Sequence, residues 1–380
     1  MIARLRWFYF LVYAGVGTWL SYFAPYLRGL GFSGEDIGAV TMAQQLTSVP
    51  AALVWGSIGD RLGAPARALR ICAGGAAVAI LALPLARTPL QMGAALVLAA
   101  MFGGGIVPLV DSTTVEAVRH EYARTRLWGS LGFVVSAQAM GFFLAWRGDR
   151  PADSAMPIAY VACVVTYALL AQTFPAAEAN ADRPHWRDAV ALLKSPQLLF
   201  ILGICGLHWA ALSPYHLMFG VLVRDLGLSS RVTGAAMALG VAAEVGALLI
   251  FPQLERRFSL RTLFAAAFGA SLLRWVLLSR AHAPAELILL QLLHAFTFGI
   301  WWSCAVEAMQ RTVPARLRAT GQAVFYAVVF GGSNAAGYAL AGAGYDRLGG
   351  VPPLYVCAAA VEVLPLLLLL LPLTPGRGRA

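Results

Sequence analysis

Glu244, Arg274 and His294 are an acid, a guanidinium and an imidazole, each inside a different apolar stretch of the chain. Together such groups can do acid–base work. A carboxylate takes up a proton, a fixed cation biases that uptake, and an imidazole titrates near neutrality. If the stretches cross a bilayer, each charge near mid-span costs about 2.5–3.5 kcal/mol on insertion scales, so each needs a partner or a use. Each lies about 10 to 13 residues from the end of its stretch, which gives the three a common depth. At one depth they can neutralise one another across a polar cavity. The plainer alternative is a buried ion pair and a hydrogen-bonded histidine that only hold helices together. Asp111 is a fourth candidate, following Pro108 and the glycines Gly103 to Gly105, with Arg124, Arg126 or a proton as its partner.

The elements that must position these groups follow from composition. Fifty-nine per cent of residues are apolar, 12% are charged, and mean hydropathy is +0.72. A soluble domain carries about a quarter charged residues, so lipid is the expected solvent for most of the chain. In lipid the backbone must satisfy its own hydrogen bonds, which favours helices. The fold class expected is all-α integral membrane, with twelve spans at roughly 5–27, 36–58, 68–87, 91–117, 127–146, 156–174, 198–223, 231–251, 261–280, 285–310, 320–344 and 349–372. The basic, apolar start is read as a first anchor helix rather than a cleaved signal. Cys72, Cys163, Cys205, Cys304 and Cys357 lack metal or redox spacing, so no metal or cofactor is expected.

The net charge of +10 has a topological reading. With both termini cytoplasmic, 19 Lys and Arg fall on the inside, 8 on the outside, and Arg274 in neither class. That bias fits the positive-inside rule, so nucleic acid is not an expected partner. The longest polar interruption, residues 175–196, divides the chain into an N-terminal six-helix bundle (1–174), a cytoplasmic central loop, and a C-terminal six-helix bundle (197–380).

The halves repeat one another. ARTRLWG at Ala123–Gly129 returns as ARLRATG at Ala315–Gly321, each after a VEA triplet, and GFSGEDIG at Gly31–Gly38 returns as GLSSRVTG at Gly227–Gly234. Both ARxRxxG copies are expected in the cytoplasmic turn between the fourth and fifth helix of their half. Parallel halves of this kind are a known transporter architecture.

The turn GSIGDRLGAPAR, Gly56 to Arg67, resembles the signature loop of the major facilitator superfamily through Gly56, Asp60, Arg61 and Gly63, with Ala64 and Pro65 replacing the signature's next basic positions. Small glycines there would let helix ends approach, and Asp60 would accept from a neighbouring helix N-terminus, making a conformational latch; an ordinary solvated turn is the alternative. PLVDS (Pro108–Ser112), RLWGSLGFV (Arg126–Val134), LGVAAEV (Leu239–Val245), LLRW (Leu272–Trp275) and LLHAFTFG (Leu292–Gly299) are similar to the phenylpropionate permease family, related to proton-coupled lactose and nucleoside permeases. That resemblance implies import of a small organic solute driven by the proton gradient. Glu244, Arg274 and His294 resemble the coupling cluster of the lactose permease. Where that family places a glutamate one turn after the histidine, this chain has Thr297. Glu244 is the first choice as proton carrier and His294 the second.

Glu116 and Glu307 end the fourth and tenth spans and are expected to pair with Arg124, Arg126, Arg316 and Arg318 on the gate side. Tyr13, Gln45, Gln138, His208 and Asn334 are candidates for the cavity wall, while Trp301 and Trp302 offer flat faces or plain packing. Glu362 has no assigned partner.

The leading expectation is a monomeric proton symporter in a bacterial cytoplasmic (inner) membrane, with an aromatic carboxylate such as a phenylpropanoate as its solute. A planar guanidinium recognises a carboxylate bidentately, which suits Arg274. A sugar or nucleoside is the alternative. Drug efflux by proton antiport is a further one, although the fifth span lacks the glycine–proline pair that exporters carry. A membrane enzyme or sensor is the remote rival, since no catalytic motif is present.

Overall fold

The computed structural model describes residues 1–62, 64–175, 192–314 and 317–372, with the side chains of Asp60, Glu116, Arg119, Ala123 and Ala319 outside that description. The described residues form helices and no strand. In chain order they are α1 (Ile2–Gly29), α2 (Gly34–Arg61), α3 (Pro65–Ile80), α4 in two pieces (Pro89–Gly103 and Ile106–Val118), α5 (Tyr122–Trp146) and α6 (Ala155–Ala171). After these come α7 (Pro196–Asp225), α8 (Ser230–Arg257), α9 (Leu260–Leu278), α10 (Pro284–Thr312), α11 (Arg318–Phe325 continued through Tyr326–Ser333 and Asn334–Leu348) and α12 (Val351–Leu368).

Among the described residues, ten helices are long and apolar enough to cross a membrane, and Ala155–Ala171 is a shorter apolar one. α1 is 28 residues long, with Arg4 and Arg6 near one end and Arg28 at the other. Side chains such as Leu249 and Leu340, 72% and 70% exposed, face outward, where a water-soluble protein would bury them. The chain is a multi-pass integral membrane protein.

The repeated GFSGEDIG and GLSSRVTG now have a local explanation. Gly31 (φ +90°) and Gly227 (φ +69°) both take the left-handed conformation that closes the first helix of each half. A serine then starts the next helix. Ser33 Oγ accepts from Asp36 N at 3.0 Å while Asp36 Oδ2 accepts from Ser33 N at 3.0 Å, a reciprocal cap. The two copies conserve a helix stop and restart.

Two compact units are present, Met1–Arg183 with Val223–Ala235, and Pro184–Leu222 with Ala236–Ala380. In the first unit, α1 packs chiefly on α5 and α6, α2 on α4, and α3 on α4 and α6. Glycines make the closest crossings. A Cβ on Gly132 would strike the Phe10 carbonyl, and one on Gly17 would stand 2.6 Å from the Phe133 carbonyl. α4 breaks at Gly104 and Gly105, where the backbone lies against Ser48 and Trp55 of α2. In the second unit α9 packs on α12 and on the middle of α10. That middle, Ala295–Ile300, is π-helical, as is Tyr326–Ser333 in α11. Such wider turns free backbone groups and recur at functional sites.

Candidate functional site

The second unit brings Arg274, His294 and Glu244 together. Arg274 on α9 is fully buried. Its Nη1 donates to Thr297 Oγ1 at 2.8 Å and meets His294 Nδ1 at 3.1 Å, and its Nη2 donates to Gln291 Oε1. Its guanidinium carbon lies 4.2 Å from the centre of the Tyr215 ring, a cation–π distance. A guanidinium only donates, so His294 Nδ1 must accept, and the ring proton of His294 then sits on Nε2. That nitrogen faces Glu244 Oε2 at 3.8 Å. Protonating His294 on both nitrogens would set two donors against each other and break its bond to Arg274. The bidentate carboxylate recognition expected of Arg274 meets a difficulty here, because both Nη atoms are already occupied by neighbours in the same unit.

His208 and Glu362 form a second buried pair in the same unit. Both side chains are fully buried, and His208 Nδ1 lies 2.8 Å from Glu362 Oε1. His208 Nε2 faces the Thr297 carbonyl at 2.8 Å. Thr297 is thus shared by the two groups, its hydroxyl toward Arg274 and its carbonyl toward His208. Thr297 lies in the π-helical segment Ala295–Ile300. His208 was expected on a cavity wall; it is instead a core residue, tilted against Phe268 and Trp301 at 5.2 and 5.0 Å. Asn334 is also buried and accepts from Ser213 Oγ at 3.3 Å. Trp301 is core packing and has no exposure at all.

The first unit holds a smaller cluster. Tyr9 OH donates to Asp111 Oδ1 at 2.5 Å, and Arg126 Nε lies 4.0 Å from the same oxygen. Arg126 also donates to Tyr13 OH and covers the Tyr13 ring at 4.2 Å. Tyr13 is therefore a partner of Arg126. Gln138 has a buried Oε1 with no hydrogen-bond partner. An open cleft of about 190 Å³ beside the break in α4 is lined by Gln44 and Ser48, not by the expected Gln45.

Several gate and latch expectations are corrected. Arg124 and Arg126 do not lie in a turn; they are already inside α5, which is what lets Arg126 reach Asp111. Arg124 pairs with Glu121 at 3.6 Å rather than with Asp111. Glu307 pairs at 2.6 Å with Arg311, one turn on, and Arg311 also binds Glu255 at 2.5 Å. Arg61 and Arg318 are exposed. Gly56 has open space where a Cβ would go, whereas a Cβ on Gly59 would lie 3.0 Å from Leu109. The close approach belongs to Gly59. The Asp60 and Glu116 side chains, Gly63, Arg316 and most of the central loop lie outside the described residues.

Sequence reasoning left out Glu362's partner, Gln291, Thr297 as a connector, Tyr9 and Tyr215. A buried acid in the last span was itself the signal for the first of these.

A profile of the MFS_1 like family matches residues 2–354. The "Probable 3-phenylpropionic acid transporter" of Escherichia coli (strain K12) is 26% identical over 373 residues, covering 92% of this chain and 93% of that protein. The "Maltose permease" of Geobacillus stearothermophilus is 26% identical over 326 residues, covering 84% and 82%. The crystal structure of nucleoside transporter NupG aligns with a TM-score of 0.83 at 16% identity, covering 97% of this chain and 98% of that one, and at that identity the likeness is one of fold.

Proposed function

We propose, for a chain that belongs to the MFS_1 like family and is a membrane transporter of small solutes rather than an enzyme, that it imports its solute together with a proton by alternating access. The observation that carries this reading is the chain Arg274–His294–Glu244, an acid joined through one imidazole to a fully buried cation inside an apolar bundle. Such a chain is costly in lipid unless its charges change hands during the cycle. Glu244, 20% exposed at its side chain, is the proton acceptor. Arg274 holds His294 in the tautomer that faces Glu244. The proton gradient is the energy source, and no cofactor takes part.

The solute we favour is a small aromatic carboxylate. The relative from Escherichia coli bears the name of a phenylpropionic acid transporter, and Arg126, one third exposed on a platform of Tyr9 and Tyr13, is a more available guanidinium than Arg274. A sugar or nucleoside is the second reading, favoured by the maltose permease relative. The excess of arginine on one set of loops supports cytoplasmic termini, and helical spans with bacterial relatives support a cytoplasmic-membrane location. A single chain is the working unit.

The test is reconstitution in vesicles with a pH-sensitive dye inside. 3-Phenylpropionate, maltose and uridine are added in turn. Internal acidification evoked by one of them is expected; solute entry with no proton movement would overturn the symport reading.

A further inference from the structure

His208 and Glu362 are the most deeply buried ionisable pair among the described residues, and the coupling chain above makes no use of them. Their hydrogen-bond geometry can be read atom by atom. The Thr297 carbonyl only accepts, so the hydrogen on His208 Nε2 is committed to it. His208 Nδ1 then faces Glu362, with the two carboxylate oxygens at 2.8 and 3.1 Å. A bare Nδ1 lone pair against an ionised carboxylate at that distance is repulsive. The contact is attractive only when one further proton lies between them, either on Nδ1, giving an ion pair, or on Glu362, giving a neutral pair. Both forms hold one proton and sum to zero charge. Losing that proton leaves a net negative charge on two fully buried side chains, a state the closed geometry does not tolerate.

We propose that His208 and Glu362 are a one-proton binding site, closed when loaded, whose release of the proton opens the contact between α7 and α12. The site rests on the symport reading but is separate from Glu244. Thr297 reports its state. If His208 moves off the Thr297 carbonyl, the same residue's hydroxyl is free to shift, and that hydroxyl is what Arg274 Nη1 holds at 2.8 Å. Proton occupancy on one side of the π-helical turn is thereby linked to the Arg274–His294 bond on the other.

Other ionisable groups surround the pair. α9 contributes Arg274 and the Trp275 indole, whose Nε1 donates toward Glu362 Oε1 at 3.4 Å. α10 contributes His294, α7 also carries His216, and α12 carries Tyr355, stacked on Trp275 with ring centres 5.8 Å apart. Phe268 and Trp301 close the remaining faces of the imidazole. Glu362 is the carboxylate that contacts His208, so a proton taken up at this place has these two groups to go to.

The experiment is a difference proton titration of the purified full-length protein in detergent, without solute, comparing wild type with the double variant His208→Gln, Glu362→Gln. The double variant removes both ionisable groups at once, leaves no unpaired charge and preserves hydrogen bonding, so it is expected to fold. A second comparison uses the wild type alone, following the infrared absorption of carboxyl and imidazole groups as pH is raised. The expected result is one fewer titratable proton in the double variant, and a pH-dependent carboxyl or imidazole signal in the wild type that the double variant lacks. Equal proton uptake by the two proteins, with identical infrared difference spectra, would show a pair that never exchanges its proton and would overturn the proposal. Neither readout involves transport. A protein that titrates here yet moves no proton with its solute would remove the symport reading and keep the site, and the reverse outcome would do the opposite.

Discussion

The two units hold polar clusters built from similar residue types with opposite burial. In the first, Asp111 and Arg126 stand 4.0 Å apart with about a third of each side chain exposed, and a tyrosine hydroxyl supplies the closest contact. In the second, His208 and Glu362 have no exposure and Arg274 has none. An exposed charge pair contributes little because water competes for both partners. A buried pair is expensive to form and more expensive to break, since the surviving partner has nowhere to put its charge. The first unit has contacts that can be made and lost cheaply, and the second has its ionisable groups buried against one another. That division suits a transporter in which one half grips or gates while the other couples.

The comparison can be broken most directly through stability. Glu362→Leu leaves His208 without its partner, and about 3–5 kcal/mol is the expected loss for orphaning one member of a buried pair. Asp111→Asn keeps a hydrogen-bonding group in a half-exposed place and is expected to cost about 1 kcal/mol. Thermal unfolding in detergent measures both, and equal losses would erase the distinction between the units. Next in size is Gly132→Val, which drives a side chain into the Phe10 carbonyl and separates α1 from α5; a loss of about 1–3 kcal/mol is expected. Gly56→Val, with open space around it, should stay within about 0.5 kcal/mol of wild type by the same assay. Tyr9→Phe removes one hydrogen bond to Asp111, and a destabilisation of about 1 kcal/mol is expected.

The smallest effect lies outside the spans. Burial alone would raise the Asp153 carboxyl, but its contact with Arg147 Nε at 2.6 Å and the Ala155 amide hold it below its ordinary range. A depressed carboxyl contributes stability above its unfolded pKa and loses it as pH falls through the folded value. The small difference in unfolding temperature between wild type and Arg147→Ala should therefore be present at neutral pH and vanish in acid. A difference that persists unchanged in acid would assign it to packing.

Most of the fold was legible because lipid imposes a coarse rule. Twelve apolar stretches of spanning length could be marked, and each coincides with a helix. That Glu244, Arg274 and His294 belong together was legible for the same reason, since a charge in an apolar run stands out. What could not be read is what depends on rotation about a helix axis and on breaks in helical regularity. Glu362 gave a signal as a buried acid, but its partner His208 is 154 positions away, and nothing in either stretch names the other. Thr297 looked like the loss of a glutamate; only the structure shows its hydroxyl on Arg274 and its carbonyl on His208. Glu307 was assigned to the repeated arginines because the repeat drew attention to them, and the reading passed over Arg311, one turn along the same helix, which pairs with it at 2.6 Å. Gly56 matched a signature and Gly59 makes the contact, a register choice that composition does not encode.

The most direct test of proton coupling through the second unit is transport by Glu244→Gln in vesicles, with wild type in parallel. The expected result is a variant that exchanges labelled solute across the membrane at equal concentrations yet fails to accumulate it when a proton gradient is imposed. A variant that accumulates solute against its gradient as well as wild type would contradict Glu244 as the proton acceptor.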